Sequence, residues 1–439
     1  MPELVIEKLV HQGYGLGFLD SRSVFVENAA PGDLLQIELT RNTRHFSYGK
    51  IVNIISPGPG RVEAQCSAFG QCGGCNWLHL DYQTQIDWKS KIAGEIFRKI
   101  HNSAIIPCEP SPLIKGYRNK TFLPVMEKSG EIIIGMYARQ SHNVIPHAAC
   151  QIHPALFDRV CPFFTTYLRK AQVQIYNELK NSGQVRHLGL RYSFSTGELL
   201  MIIVTRTAKL PFTRQLTNTI LSDFPEVTGI IQNINPEKTN RILGTESKLI
   251  YGRDYLWEEI KDLRFRVSYD SFFQVNSSII ESLYNHILDH VPLRSRVLDA
   301  YCGTGSIGIF VAARAEKVWG VEVNQRAIDD ARLNCQTNRV VNCEFISGRV
   351  EDQLEELIAG KGIDTVIFDP PRQGLTPEIL DVLHQCTPAR IIYVSCDPAT
   401  QERDVTRLLS AGYRILDIHC FDLFPQTYHQ ECVVVLVKE

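Results

Sequence analysis

A chain of 439 residues, 44% hydrophobic and 21% charged, is long enough for two or three domains with sizeable cores and too apolar for extended disorder. A net charge of -2 excludes attraction of nucleic acid by the field of the whole molecule, so any RNA contact must rest on local basic patches. Thirteen cysteines are too few for a disulfide scaffold, no apolar run approaches the roughly 20 residues that cross a bilayer, and the acidic start MPELVIEKLV lacks a signal-peptide pattern, so a cytoplasmic protein with no membrane partner is expected.

Residues 1–59 read as a small all-strand module. Short β-prone runs at 4–6, 15–18, 24–26, 34–37 and 49–52 are separated by Gly-, Pro- and Asn-containing turns, and five strands in this space predict a small barrel. Ala30-Pro31-Gly32-Asp33 is a hairpin signal, and Ser56-Pro57-Gly58-Pro59-Gly60 reads as a linker. Arg41, Arg44, His45 and Lys50 cluster either to face phosphates or as a solvated loop.

Residues 60–265 are less regular. The stretch from Tyr82 to Ile100 predicts an amphipathic helix with Ile86, Ile92, Ile96 and Ile100 on one side and Lys89, Lys91, Arg98 and Lys99 supplying charge. Strand-like runs at 188–192 and 200–204 predict a sheet packed with a helix near 210–223. Cys66, Cys72 and Cys75 are spaced to wrap a metal centre, with Gly73 and Gly74 freeing the loop. A fourth thiolate must come from elsewhere, with Cys150 favoured over Cys108 and Cys161. Such a set suits tetrahedral zinc or an iron–sulfur cluster, the bland alternative being reduced cysteines with no metal.

From about 266 the pattern becomes α/β. Short apolar runs at 297–299, 317–322, 343–346, 365–369 and 390–394 are mostly separated by helical stretches, and 413–417 and 432–437 finish a mostly parallel sheet with helices on both faces. Gly303 and Gly305 turn the chain after the first strand, and Glu322 ends the second about 20 residues on, where a carboxylate accepts ribose hydroxyls. In Gly303-Thr304-Gly305-Ser306-Ile307-Gly308 the third glycine of a dinucleotide fingerprint is displaced, which favours S-adenosylmethionine over NAD. Gly308 reads as a close-packing position. Pro370 and Pro371 end the fourth strand and hold Asp369 at the crevice.

Most of the remaining cysteines read as small core hydrophobes, but Cys396 follows a buried-type strand and precedes Asp397-Pro398 at the ligand edge of the sheet. A methyl donor beside a nucleophilic thiol suits methylation of an unactivated ring carbon. Thiolate addition at uracil C6 pushes electron density onto C5, C5 takes the methyl group, and a base then removes the C5 proton so that the thiol is eliminated. Glu431 is the first candidate for that base and His429 its competitor. The reacting atoms are inaccessible in a stack, so the target base is expected to flip out.

These motifs resemble the RNA uracil-5-methyltransferase family, and specifically its members with a TRAM domain and a [4Fe-4S] cluster that methylate 23S ribosomal RNA. The resemblance covers essentially the whole chain. It implies a multidomain protein: a five-stranded OB-like TRAM β-barrel at 1–59, a central α+β iron–sulfur and RNA-binding region at 60–265, and an α/β Rossmann-like methyltransferase domain at 266–439. It implies that Cys66, Cys72, Cys75 and Cys150 hold the cluster, that Cys396 and Glu431 are nucleophile and base, and that Asp369 sits where cofactor and uracil meet. Tyr117-Arg118-Asn119-Lys120 matches a family string, which implies RNA contacts for Arg118 and Lys120. Phe272-Phe273-Gln274-Val275-Asn276 matches another, with Phe272 a stacking partner and Gln274 near cofactor and base. Tyr301, Gly303, Gly305, Ser306 and Glu322 take the cofactor, S-adenosyl-L-methionine. A monomer is expected. Ser306, Arg349 and Asp397 stand where the ribosomal enzymes often carry asparagine, which keeps a tRNA enzyme as the alternative. A non-catalytic RNA binder leaves Cys396, Glu431, Asp369 and Glu322 without a shared purpose, and an NAD-dependent oxidoreductase explains the glycine turn but not the Cys396–Glu431 arrangement.

Overall fold

A computed structural model describes residues 1–103 and 105–439. The N-terminal strands are β1 (Glu3–Val5), β2 (Lys8–Leu9), β3 (Gly15–Leu19), β4 (Arg22–Val26), β5 (Leu34–Asn42) and β6 (Phe46–Ser56). They form one sheet in the order β1-β5-β6-β4-β3-β2, wrapped round Leu4, Ile6, Val24, Val26, Leu35 and Ile37. The sheet has six strands where five were expected, because the two-residue β2 is too short to leave a pattern in the sequence. The glycine- and proline-rich stretch after β6 is pinned, not loose. Buried Asp33 accepts from Gly58 N at 2.9 Å and pairs with Arg61 at 2.6 Å.

Helix α1 (Tyr82–Phe97) is capped by Asp81, which accepts from Thr84 N at 2.8 Å. Its apolar side, Ile86, Ala93 and Phe97, packs into the core of the C-terminal sheet. The next strand, β7 (Cys108–Glu109), joins the edge of that same sheet. Lys89, expected on the charged side of this helix, is instead fully buried, with Nζ 2.5 Å from Asp422 Oδ1. Lys91, Arg98 and Lys99 are exposed as expected.

The middle region is built on β8 (Lys120–Lys128), β9 (Glu131–Tyr137), β10 (Val144–Pro146), β11 (Val185–Tyr192), β12 (Leu199–Thr205), β13 (Val227–Ile234) and β14 (Glu246–Gly252), with helices α2 (Ala155–Lys170) and α3 (Thr213–Asp223) on one face. The order is β10-β9-β8-β11-β12-β13-β14. Side chains alternate along a strand. On β12, Leu199, Met201 and Ile203 meet the helices, while Leu200, Ile202 and Val204 join a core shared with the C-terminal domain. That double burial explains an unbroken apolar run and welds the two regions together. The hairpin β15 (Tyr255–Ile260) and β16 (Leu263–Ser268) packs into the same shared core. A boundary at 265 therefore cuts through packed units, because α1 and β7 lie N-terminal to it yet belong to a C-terminal core, and β16 straddles it.

The C-terminal domain follows as α4 (Ile280–His290), β17 (Arg296–Ala300), α5 (Ser306–Val311), β18 (Lys317–Glu322), α6 (Gln325–Asn338), β19 (Cys343–Ser347), α7 (Val350–Lys361), β20 (Thr365–Phe368), α8 (Pro377–Cys386), β21 (Arg390–Ser395), α9 (Pro398–Ser410), β22 (Tyr413–Phe421) and β23 (Glu431–Lys438). The sheet order is β19-β18-β17-β20-β21-β23-β22-β7, and the valine-rich β23 runs antiparallel to both its neighbours. Among the described residues, no helix is long and apolar enough to cross a membrane.

Candidate active site

The turn after β17 places Tyr301, Gly303 and Gly305 at positive φ of 64°, 52° and 76°. A Cβ on Gly305 would stand 2.7 Å from Phe345 Cζ, so this glycine is required for packing against β19. A Cβ on Gly303 would find nothing nearer than Phe272 O at 3.8 Å, so this glycine serves its backbone conformation and an open crevice. Glu322, at the end of β18, accepts from Gly303 N at 3.3 Å and from Asn324 N at 2.8 Å. The carboxylate is thus aimed across the turn. Tyr301 donates to Glu351 Oε1 at 3.3 Å. Ser306 departs from the cofactor set in its geometry: its buried hydroxyl is 2.8 Å from the Tyr284 hydroxyl. Gly308 is a packing position as expected, its N–H donating to buried Asp299 at 2.8 Å.

The other half of the crevice is made by β20, β21 and β23. Because β23 is antiparallel, its first residue lies at the carboxyl end of its parallel neighbour, and Ser395 pairs with Cys432. Cys396 and Glu431 therefore leave adjacent strands side by side, and Asp369 emerges from β20 next to them. Gln274 Nε2 donates to Asp369 Oδ2 at 3.3 Å, and Asn119 Nδ2 holds the Gln274 carbonyl at 3.1 Å. Burial pushes the Asp369 carboxyl up to about 7 against the Gln274 hydrogen bond. Burial and then Asp369 raise Glu431 well above the usual carboxylate range, with Arg372 opposing. The Cys396 thiol is pushed up to about 12 by burial and by Glu431, again opposed by Arg372. His429 goes the other way, down to about 3, through burial and the positive charge of Arg372.

Cys396 opens into a polar cleft of about 310 Å³ that His11, Tyr14, Arg139, Arg372 and His429 also line. Barrel, cysteine loop and catalytic domain all contribute walls. Arg372 was not singled out from sequence, although it directly follows Pro370 and Pro371; its charge had no visible partner there. Asp397 caps α9 by accepting from Ala399 N at 3.1 Å and Thr400 N at 3.3 Å, which accounts for a carboxylate beside the thiol.

Cys66, Cys72, Cys75 and Cys150 are all free, and they act electrostatically on one another round Cys75. Gly74 N donates to Cys72 Sγ at 3.3 Å, and burial pushes the Cys150 thiol up against the opposing backbone N–H groups of Ile152 and His153. Among the described residues, no three of these sulfurs come within 4.8 Å of one another. Tetrahedral zinc at 2.3 Å needs thiolates roughly 3.8 Å apart, whereas a four-iron cube with one thiolate per iron spreads them wider. The donor set and its N–H···S bonds fit the cluster.

Arg118 lies close enough to this loop and to His429 for its charge to act on Cys75, His153 and His429. Lys120 does not share that position. Its Nζ points inward to Ser271 O at 3.1 Å, bracing the segment before Phe272, and burial holds its ammonium well below the ordinary range. Phe272 is 62% exposed beside the Gly303 turn. On the barrel, Arg41, Arg44, His45 and Lys50 are all exposed. Arg41 and Lys50 line a cleft of about 610 Å³ that shares Tyr14 and Gln140 with the Cys396 cleft.

Residues 232–439 match the model of the tRNA (uracil-5-)-methyltransferase family, and residues 3–52 match the TRAM domain. A Bacillus cereus protein named only as an uncharacterized RNA methyltransferase is 36% identical over 442 residues, covering 99% of this chain and 96% of its own. The chain belongs to the RNA uracil-5-methyltransferase family. A Clostridium tetani RNA methyltransferase is likewise 36% identical, over 99% of this chain and 95% of its own length. Among solved structures, a Pyrococcus abyssi tRNA (uracil-54, C5)-methyltransferase in complex with S-adenosyl-L-homocysteine superposes with a TM-score of 0.80 at 28% identity, covering 99% of this chain and all of that one. The protein is a TRAM-containing, S-adenosylmethionine-dependent RNA uracil-5-methyltransferase.

Proposed function

We propose that this methyltransferase transfers the methyl group of S-adenosylmethionine to C5 of a uridine in 23S rRNA through a covalent Cys396–C6 adduct. The observation that carries the mechanism is the convergence of a thiol, Cys396, with two protonatable carboxyls, Asp369 and Glu431, around Arg372 at one sheet edge. Glu322, Gly303 and Tyr301 hold the cofactor on the β17–β18 side, and Gln274 holds Asp369 between cofactor and uracil. Cys396, as thiolate, adds to C6; C5 takes the methyl group; Glu431 accepts the C5 proton, and the C6–S bond breaks. Glu431 serves better than His429, because a base held at about 3 binds a proton too weakly. The RNA runs from the exposed Arg41 and Lys50, past Tyr14, to the cleft, with Arg118 near the target and Phe272 stacking on a base.

Cys66, Cys72, Cys75 and Cys150 would hold a [4Fe-4S] cluster, which when bound orders the loop that lines the RNA cleft. Iron and acid-labile sulfide assayed after anaerobic reconstitution test this. Four irons per chain support it, and an active protein with stoichiometric zinc and no iron overturns it.

The 23S rRNA assignment rests on the family resemblance of the motifs, and the protein is taken to act as a cytoplasmic monomer. The full-length likeness to an archaeal tRNA enzyme favours a second reading, methylation of tRNA. Transcripts of 23S rRNA and of tRNA, offered side by side with labelled S-adenosylmethionine and mapped for 5-methyluridine, decide between them. Label confined to tRNA overturns the ribosomal assignment.

A further inference from the structure

Away from the crevice, on the α4 side of the β22 edge, a second group of ligating side chains comes together that methyl transfer does not use. His286 and His290 are one helical turn apart on α4 and so share a side. Asp417 and His419 are two residues apart on β22 and share a face. The two pairs meet: His286 Nε2 is 3.0 Å from Asp417 Oδ2, and the His286 ring lies 4.7 Å from that of His290 and 4.9 Å from that of His419. One ligand atom from each of His286, His290 and Asp417 falls within 4.8 Å of the other two. His290 Nδ1 sits 2.9 Å from the His286 carbonyl, an arrangement that puts the proton on Nδ1 and leaves Nε2 with a free lone pair. His419 Nε2 is buried without a hydrogen-bond partner, its nearest carboxylate, Glu109, being 3.9 Å away.

We propose that His286, His290 and Asp417 form a three-ligand site for a divalent zinc-class metal ion. Zinc held at 2.0–2.1 Å by nitrogen and oxygen places tetrahedral ligand atoms roughly 3.3 Å apart, close to the His286–Asp417 contact. Imidazoles with one carboxylate select zinc, cobalt or nickel over magnesium and calcium. A simple His286–Asp417 ion pair accounts for one contact and leaves the convergence of His290 on the same point unexplained. The ion would clamp α4, which follows the Gln274 segment, to β22, which leads through Asp422 to Glu431. It is a structural site whose ligands do not line the Cys396 cleft.

The test uses the full-length protein with its cysteine loop loaded anaerobically, dialysed against a chelator and titrated with Co²⁺ and then Zn²⁺. A nitrogen/oxygen site gives weak visible d–d bands without the intense near-ultraviolet charge transfer of cobalt–thiolate. The expected result is about one equivalent of such a metal in the parent protein, a rise in melting temperature on adding zinc, and loss of both in His290→Ala. Asp417→Asn, which keeps the size of the side chain, should lose both as well and guards against a folding defect in the first variant. Metal content equal in parent and His290→Ala, absence of the d–d bands, or bands of thiolate character alone overturns the site.

Discussion

The two halves of the crevice use the same kind of side chain in opposite ways. On the β17–β18 side, the Glu322 carboxylate is held by two backbone N–H groups and aimed before any ligand arrives. On the β20–β21–β23 side, Asp369 and Glu431 are buried with fewer donors, and their carboxyls hold protons more tightly than free ones. A carboxylate satisfied by the backbone is suited to grip hydroxyls. One starved of donors is suited to move a proton. One sheet edge thus carries a binding half and a reacting half, separated by a single strand boundary.

The sharpest way to break this division is at the reacting half. Cys396→Ala should reduce methyl transfer to background while calorimetry still records S-adenosylmethionine binding; loss of both would mean the halves are not separate. Glu431→Gln should slow turnover by about 10²–10⁴-fold and leave RNA covalently attached to Cys396, read on denaturing gels and mapped by mass spectrometry. His429→Ala should not trap that adduct.

At the binding half, Glu322→Ala should weaken S-adenosylmethionine by about 1.5–3 kcal/mol for each charge-assisted bond lost, roughly 10–150-fold. Single-turnover methylation at saturating cofactor should remain nearly unchanged. A variant that instead loses the single-turnover rate would move Glu322 into the reacting half.

Arg372→Ala sharpens the comparison through pH. A thiolate nucleophile gains about tenfold in kcat/KM per pH unit below its pKa, and with Cys396 held up at about 12 the rise should continue above pH 8.5, where an ordinary cysteine levels off. Removing the opposing Arg372 charge raises the thiol further, so the variant should be slower at every pH on the rising limb. An unchanged profile would show that Arg372 does not act on Cys396. The smallest effect belongs to the brace outside both halves: Lys120→Met should cost about 1 kcal/mol of stability in urea unfolding without altering the salt dependence of RNA binding.

Much of this was legible in the sequence. The βα alternation gave the sheet, the glycine turn and Glu322 marked the binding half, and Cys396 stood out by its place past a strand. The partnership of Cys396 with Glu431 depended on the antiparallel sense of β23, which a run of valines does not encode. Lys89 was misread because helix periodicity assigns faces, not partners, and the family string that marks Lys120 does not show the carbonyl its ammonium reaches. Their acceptors, Asp422 and the Ser271 carbonyl, lie 333 and 151 residues further along. The six-stranded barrel was missed by one strand only, since two residues carry no period.

The buried Lys89–Asp422 pair has a consequence for how the protein is made. Helix α1 leaves the ribosome early, yet the surface that covers its apolar side and the carboxylate that neutralises Lys89 arrive 333 residues later. At 5–20 residues per second that is an interval of about 17–67 s before Lys89 meets its carboxylate, although Ile92 can already pack on Leu9, Ala30, Trp77 and Leu80. The C-terminal sheet cannot reach its native edge without β7, nor α1 its native burial without the last strands. Synthesis therefore acts as a timer: α1 reaches its full burial only when the chain is nearly complete.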